Sequence, residues 1–148
     1  MTTPYANVAY GDAYFAERLR STAWTDATAA DKLIALKQAT RAIDTLNFAG
    51  FKHDELQVPQ FPRGNDTVVP DAILQANCEL AIALLDDVDP NLEIENLSLA
   101  RQGMSDARIE RDTSFAHEHI RAGIPSLQAW ILLTPFLRDG RILDVDRS

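Results

Sequence analysis

The acidic run from residue 86 to residue 95 has the residue types that suit a metal ion best. Three of its side chains fit the first three ligand positions of a calcium-binding loop: Asp87, Asp89 and Asn91. The rest of the pattern fails, because Leu92 stands where the sharp turn requires glycine and Ser98 stands where a bidentate glutamate closes the shell. We therefore interpret the run as the solvated end of a helix and a turn, where aspartate and proline stop the helix.

The sequence His117-Glu118-His119 is the second candidate for metal binding. Residues two apart share a face of an extended chain, whereas on a helix the two rings diverge. A structural zinc site takes four ligands, and the chain offers only His53 and Cys78 as further histidine and cysteine. We therefore expect no metal site and no cofactor.

Motifs for covalent catalysis or phosphate binding are missing from the sequence. It contains no G-x-S-x-G nucleophile elbow, no G-x-x-x-x-G-K-[ST] loop and no G-x-G-x-x-G fingerprint. Cys78 lies in an apolar stretch, which favours a buried and unreactive thiol. The sequence therefore predicts that the protein is not an enzyme.

Two short segments place an aromatic ring beside a basic side chain: Phe51 with Lys52, and Phe61 with Arg63. Such pairs can stack on bases and contact the phosphates of a single strand. The formal net charge of −8 opposes this function, because affinity for nucleic acid comes chiefly from Lys and Arg neutralising phosphates. We therefore expect both phenylalanines to cover a helix bundle and Arg63 to pair with a carboxylate.

Length and composition indicate one globular domain. The 148 residues suffice for a single core, and 46% hydrophobic with 24% charged residues argues against a disordered chain. One cysteine allows no internal disulfide. The N-terminus has no signal-peptide pattern, and no run of about 18 apolar residues could span a membrane. We expect a soluble protein that is made and assembled inside a cell.

The first two helices have N-terminal caps that the sequence suggests. Asp12 is a good N-cap for a helix that runs to about Arg20. Thr28, followed three residues later by Asp31, resembles a capping box at the start of the second helix. Apolar and small residues then recur at steps of three and four until Leu46, which predicts a wide apolar face.

A long loop and a central helix follow. Prolines and glycines interrupt the pattern from Phe48 to Val69, which predicts a loop held onto the helices by its aromatic residues. Pro70 opens the third helix, where proline is tolerated. This helix is apolar on most faces up to Leu85, so we expect it to be the central helix of a bundle.

The remaining segments are a predicted hairpin, a last helix and a tail. In residues 92–112 a turn-like segment surrounds Gly103, and after it charged residues occupy every second position. This pattern predicts a two-stranded β-hairpin. The last helix begins near Pro125, and Pro135 bends or ends it. Its predicted buried stripe has five members: Leu127, Trp130, Ile131, Thr134 and Leu137. Residues 139–148 form a charged C-terminal tail.

The predicted fold is therefore mostly α, a small bundle of about four helices with a long loop, a hairpin and a C-terminal extension. Residues 1–138 form the helical domain and residues 139–148 the tail. The predicted structural core consists of Trp24, Leu33, Leu36, Ile43, Leu80, Leu84 and Trp130.

An ordered set of short segments carries a resemblance to phage proteins. The segments are Tyr10-Gly11-Asp12-Ala13-Tyr14-Phe15, Ala23-Trp24, Thr28-Ala29-Ala30-Asp31-Lys32, Gln38-Ala39-Thr40-Arg41-Ala42-Ile43-Asp44, Gln60-Phe61-Pro62-Arg63, Val69-Pro70-Asp71-Ala72-Ile73 with Ala76 and Glu79-Leu80-Ala81, and Pro135-Phe136-Leu137. With them the chain resembles the helical head-to-tail adaptor, or head-completion, proteins of tailed phages. It is also similar to the related phage sequences labelled DnaT-like single-strand-binding proteins.

The adaptor resemblance implies a structural virion protein in the phage neck, assembled in the host cytoplasm. Its partners would be the portal protein, neighbouring copies in a ring that is commonly dodecameric, and the next neck or tail protein. Double-stranded DNA would pass through the ring without sequence-specific contacts. The second resemblance implies the alternative function, a single-stranded-DNA-binding protein.

In such adaptors a terminal extension often reaches into the portal, and by position the tail is the candidate here. The residues assigned to this contact are Arg141, Ile142, Leu143, Val145 and Arg147. Short apolar residues in a charged tail suit a segment that becomes ordered on binding. A frayed terminus is the alternative reading of the same residues.

Overall fold

The computed structural model describes residues 2–87 and 118–138, and these residues are mostly helical. The α-helices are α1 (Val8–Ala16), α2 (Thr22–Asp26), α3 (Ala29–Asp44), α4 (Asp71–Leu85), α5 (Glu118–Arg121) and α6 (Leu127–Leu133), and a 3₁₀ turn follows at Thr134–Phe136. Within these two ranges the backbone forms isolated β-bridges and no strand. No helix in them is long and apolar enough to cross a membrane.

The first helix begins earlier than the sequence predicted. Asn7, and not Asp12, is its N-cap, because the Asn7 side chain accepts a hydrogen bond from the Tyr10 backbone N–H. Asp12 instead lies inside α1 and accepts a hydrogen bond of 2.9 Å from the indole nitrogen of Trp24. Gly11 beside it gives the indole room, since a Cβ there would lie 2.5 Å from the Trp24 ring.

The predicted cap of α3 is confirmed, and one of its predicted core residues is wrong. The Thr28 hydroxyl accepts a hydrogen bond of 3.1 Å from the backbone N–H of Asp31. Leu36 and Ile43 are fully buried, whereas Leu33 is 37% exposed. The buried face of α3 is centred on the small residue Ala39, against which α4 can pack closely, and Leu33 lies at the edge of that face.

Helix α4 is the central helix, as its apolar composition predicted. It begins after Pro70 and contacts α1, α2, α3 and α6. Leu80 is fully buried, and Leu84 packs half-buried against the core. Buried Asn77 uses its amide to bind the backbone O of Leu36 and the hydroxyl of Thr40, so this polar group is satisfied in the core.

The buried face of α6 differs from the predicted stripe. Ala129 and Leu133 face α4 and are fully buried, whereas Leu127 and Ile131 are more than half exposed. Trp130 packs half-buried against the core. A small residue lets this short helix lie close to α4, and the larger apolar residues then point outward. The predicted break is confirmed, because a 3₁₀ turn starts at Thr134.

The helices give the bundle two distinct ends. Helix α2 contacts both the N-terminal part of α3 and the C-terminal part of α4, so α3 and α4 run antiparallel. The C-terminus of α3, the N-terminus of α4 and the end of the 3₁₀ turn meet at the opposite end. Helix α4 has 15 residues and separates the two ends by about 22 Å.

Several predicted features lie outside the described residues. They are the hairpin at 92–112, most of the acidic run at 86–95, His117, and the tail at 139–148 with its assigned portal contacts. The helix number is larger than predicted, because the residues around Trp24 form a helix of their own and a single-turn helix precedes α6.

Candidate interaction surfaces

The connection between α3 and α4 has an inner side built from aromatic rings. Phe48 and Phe61 are both buried, with their ring centroids 4.7 Å apart in an edge-to-face arrangement. Phe61 also meets the edge of Phe136 at 5.6 Å and Tyr5 at 6.0 Å. The prediction that this loop is held by its aromatic residues is therefore confirmed for Phe61.

Arg63 holds the inner side together through backbone carbonyls, and within residues 2–87 and 118–138 it does not make the expected carboxylate pair. Its Nε donates to the carbonyl of Ala49 at 3.0 Å, and its Nη2 donates to that of Gly50 at 2.7 Å. Its Nη1 donates to the backbone and side-chain oxygens of Gln60. The guanidinium also lies over the rings of Phe48 and Phe61. Burial lowers the pKa of Arg63. The planar guanidinium has several donors in a fixed arrangement, which allows it to bind all these carbonyls of the turn at once.

The N-terminal segment joins the same side of the loop through a tyrosine and a carboxylate. The Tyr5 hydroxyl donates to Asp44 and accepts hydrogen bonds from the backbone N–H groups of Gln60 and Phe61. Burial is the largest cause that raises the pKa of Asp44, and burial together with this carboxylate also raises the pKa of Tyr5. Residues far apart in sequence thus fix the position of the loop on the bundle.

The outer side of the same loop presents apolar side chains to solvent. Phe51 is 82% exposed, Leu56 is 87% exposed and Val58 is 88% exposed. The expectation that Phe51 covers the bundle was therefore wrong. The backbone between these residues is well bonded: Lys52 Nζ donates to the carbonyl of Gln57, and the amide of Gln57 donates to two proline carbonyls.

A second guanidinium binds the residue that precedes Phe51. Arg138 donates to the Gly50 carbonyl at 3.2 Å, the same oxygen that Arg63 contacts. Neither arginine forms an ion pair with a carboxylate of residues 2–87 or 118–138. We call the exposed set of Phe51, Leu56 and Val58 together with Arg138 the loop end.

A buried carboxylate organises the opposite end of the bundle. Glu79 on α4 has a side chain that is only 5% exposed, and Arg18 contacts both of its oxygens, at 2.9 and 3.0 Å. The Tyr14 hydroxyl donates to it at 2.5 Å. Burial and Glu79 raise the pKa of Tyr14. The remaining Nη1 of Arg18 donates to the carbonyls of Leu19 and Arg20, which shapes the turn between α1 and α2.

A cleft of about 460 Å³ opens over this cluster. It is lined by Glu79, Ile82 and Ala83 of α4, by Arg20 from the turn before α2, and by Leu127 of α6. Exposed Leu19 adjoins the cleft, and Asp86 lines it at the C-terminus of α4. We call the set of Leu19, Arg20, Asp86 and Leu127 the cleft end.

The side chains considered for chemistry are placed elsewhere. The described residues contain no group of three or more metal-ligating side chains. His119 lies in α5 and its Nδ1 is 2.8 Å from the Ile124 carbonyl. Cys78 is fully buried in α4, and burial raises its pKa to about 12, so the thiolate form is disfavoured at neutral pH.

Sequence reasoning missed the two tyrosine–carboxylate contacts. Glu79 did carry a signal, because it is the one carboxylate beyond the first turn of an otherwise apolar helix, and such a group must be paired when buried. Tyr5 and Asp44 carried no comparable signal, since their contact joins residues that are 39 positions apart.

These features define a mostly helical protein whose prominent surfaces are exposed apolar patches held by a bonded backbone. Comparison with known families shows which family the sequence belongs to. The chain belongs to the family described as "Putative DnaT-like ssDNA binding protein", whose model matches residues 3–102. No match was found among curated proteins or among solved structures.

Proposed function

We propose that the protein is a structural subunit of a phage neck, a head-to-tail adaptor that binds the portal ring and links it to the next component. The observation that carries the proposal is the pair of exposed apolar surfaces at opposite ends of the bundle. Each chain in an adaptor ring must contact several neighbours at once, and separate apolar patches serve such contacts.

The backbone bonding of the loop end supports an assembly role. Carbonyls of the loop bind Arg63 and Lys52, so the loop keeps its shape while Leu56 and Val58 face solvent. A surface that is already ordered loses little conformational entropy on binding. The loop is therefore suited to dock onto a partner protein.

The charge of the chain also supports this role. The formal net charge is −8, and an acidic wall repels the DNA that must move through the channel. In this proposal the bundle packs in the ring, and the tail residues Arg141, Ile142, Leu143, Val145 and Arg147 contact the portal.

The test is co-sedimentation with isolated portal rings, comparing the full chain with a version that ends at Arg138. Stoichiometric binding that requires the tail is the expected result. Binding of both versions would keep the adaptor function and move the portal contact to the bundle. If neither version binds, the adaptor proposal is wrong.

A second candidate function is binding of single-stranded DNA. Phe51 is 82% exposed and lies between Lys52 and Gly50, whose carbonyl binds the guanidinium of Arg138. An exposed ring beside cations can stack on a base and contact a phosphate. The family description points to the same function. The other aromatic–basic pair does not serve it, because Phe61 is buried and Arg63 binds loop carbonyls.

Fluorescence anisotropy with a labelled oligonucleotide at several salt concentrations tests the second candidate. Single-strand binding predicts tight association that weakens steeply with salt and is lost in Phe51→Ala. Leu56→Ala is the matched control, since it removes a side chain of similar exposure that has no ring. Weak binding with equal effects of both variants would exclude a specific single-strand site at Phe51.

A further inference from the structure

We propose that the loop end of one copy of this chain docks into the cleft end of the next copy. This inference rests on the proposed structural function and names the two surfaces that meet. The contact is heterologous, because each copy contributes a different end to each of its two neighbours. Heterologous contacts produce a closed ring when the rotation between copies closes, and an open fibre when it does not.

One end projects apolar side chains, and the other contains a concavity with apolar lining. The loop end projects Leu56 and Val58 on an ordered turn, and both are almost fully exposed. The cleft end offers a concavity of about 460 Å³ lined by apolar Ile82 and exposed Leu127. Inserting a leucine side chain into such a cleft removes apolar area from water on both partners.

The charges of the two ends are complementary in both directions. At the tip of the loop, Glu55 is exposed and forms no ion pair within the described part of the chain, and Arg20 beside the cleft is in the same situation. Conversely, Arg138 binds the loop through the Gly50 carbonyl, while Asp86 and Asp87 follow the C-terminus of α4, where the helix dipole is also negative. Arg18 and Glu79 neutralise each other and leave these groups to a partner.

The surroundings favour a second copy over a nucleic acid as the occupant of the cleft. Because Glu79 is neutralised by Arg18, the negative groups left at the cleft are Asp86 and the C-terminal end of the α4 dipole, and both repel phosphate. A protein segment that carries an acidic residue, a leucine and a nearby arginine complements the charged and apolar residues of the cleft end. The loop of this same chain supplies Glu55 and Leu56, and Arg138 is bonded to the loop through the Gly50 carbonyl.

Disulfide trapping between singly substituted full-length chains tests the contact directly. Leu56→Cys and Leu127→Cys lie at opposite ends of a bundle whose central helix is about 22 Å long, far beyond the Cα separation of about 6 Å that a disulfide allows. A bond between these two positions therefore joins two copies. The native Cys78 is buried and contributes no background.

The expected result is a cross-linked heterodimer when the two variants are mixed under mild oxidation, with at least about fivefold more product than from either variant alone. Ile34→Cys, another exposed apolar position, replaces Leu127→Cys in the matched control and should give only the background amount. Equal yields in all mixtures, or a predominant Leu56→Cys homodimer, would overturn the proposal.

Charge reversal provides a second readout that does not depend on cross-linking. Glu55→Arg alone and Arg20→Glu alone should each weaken self-association by about fivefold, and the two variants mixed or combined should recover it. Sedimentation velocity of the full-length protein, alone and in the presence of portal rings, measures the effect. Failure of the combined variant to recover association would contradict the assigned contact.

Portal binding distinguishes the two proposals. If a cleft-end or loop-end variant still binds the portal while the reciprocal charge reversal has no effect, the adaptor function stands and the copy-to-copy contact is wrong. If no variant and no wild-type chain binds the portal but the trapped heterodimer forms, the self-contact stands and the adaptor function is wrong.

Discussion

The loop between α3 and α4 has a phenylalanine and a charged residue on each of its two sides, and the two sides differ in environment. Phe61 on the inner side is buried against Phe48, whereas Phe51 on the outer side is 82% exposed. Arg63 on the inner side donates hydrogen bonds to four residues, whereas Glu55 at the tip makes no ion pair within the described residues. The same short segment thus contains a small core and an interaction surface.

A loop without regular structure can thus present apolar side chains in a fixed arrangement. The inner rings bury apolar area, and Arg63 joins separate parts of the turn by binding the carbonyls of Ala49, Gly50 and Gln60 at once. Because these inner contacts determine the backbone, the outer side chains are free to be selected for a partner. Changes on the two sides should therefore have separable effects on stability and on binding.

The largest effect is expected from Phe61→Ala. Removing a fully buried phenylalanine loses apolar burial and leaves a cavity, which costs about 3–5 kcal/mol of unfolding free energy. Urea unfolding measures this loss, and Phe51→Ala is the matched control on the outer side, with a change within about 0.5 kcal/mol. Equal losses for the two variants would remove the distinction between the sides.

Arg63→Lys should have the next largest effect. Lysine keeps the charge but cannot donate to Ala49, Gly50 and Gln60 at the same time, because it lacks the planar fork. We expect a loss of about 2 kcal/mol in the free energy of unfolding, since part-buried carbonyls lose their donors. Arg138→Lys, at an exposed position with one such bond, is the control. An unchanged free energy of unfolding in Arg63→Lys would mean that the positive charge alone holds the turn.

Leu56→Ser combined with Val58→Ser should leave stability unchanged within about 0.5 kcal/mol, because both side chains are exposed. The same double variant should weaken self-association measured by sedimentation velocity. Leu36→Ser, a substitution in the core, is the contrasting control that lowers stability. A strong loss of stability in the outer variant would show that these residues belong to the fold.

The smallest effect concerns the pH dependence of the Asp44 contact. Burial raises the pKa of Asp44, so its contribution is fully present below the ordinary value of 3.8 and is lost as pH rises through the folded-state pKa. Asp44→Asn stays neutral over this window. The unfolding free energy of the variant relative to wild type should therefore increase with pH above 3.8, as urea titrations at several pH values would measure. If the difference in unfolding free energy between Asp44→Asn and wild type did not change with pH, the pKa of Asp44 would not be raised.

Local signals in the sequence predicted several helix boundaries correctly. Thr28 caps α3 and Pro70 precedes α4, because a hydroxyl that accepts a backbone N–H and a ring that fixes φ act within one turn of the chain. The central position of α4 also followed from its composition. The cap of α1 was misplaced at Asp12, because Asp12 is a good cap residue that the tertiary structure uses to bind Trp24.

The faces of α3 and α6 could be predicted only in part. Leu33, Leu127 and Ile131 follow helical periodicity yet are exposed, since the buried faces are chosen by the close approach of small residues to α4. The candidate surfaces were harder still to predict. Leu56 and Phe61 are both large apolar residues of the same loop, and the packing of Phe48, Tyr5 and Phe136 around Phe61 is what buries only one of them.

The mostly helical class, the starts of α3 and α4, the central helix and the acidic charge follow from local propensity and composition, so they can be predicted from the sequence. The buried side of the loop, the carbonyl partners of Arg63 and the positions of the loop end and the cleft end at opposite ends of the bundle follow from packing. These contacts join residues far apart in the chain, and the partner of a side chain depends on which residues packing brings beside it.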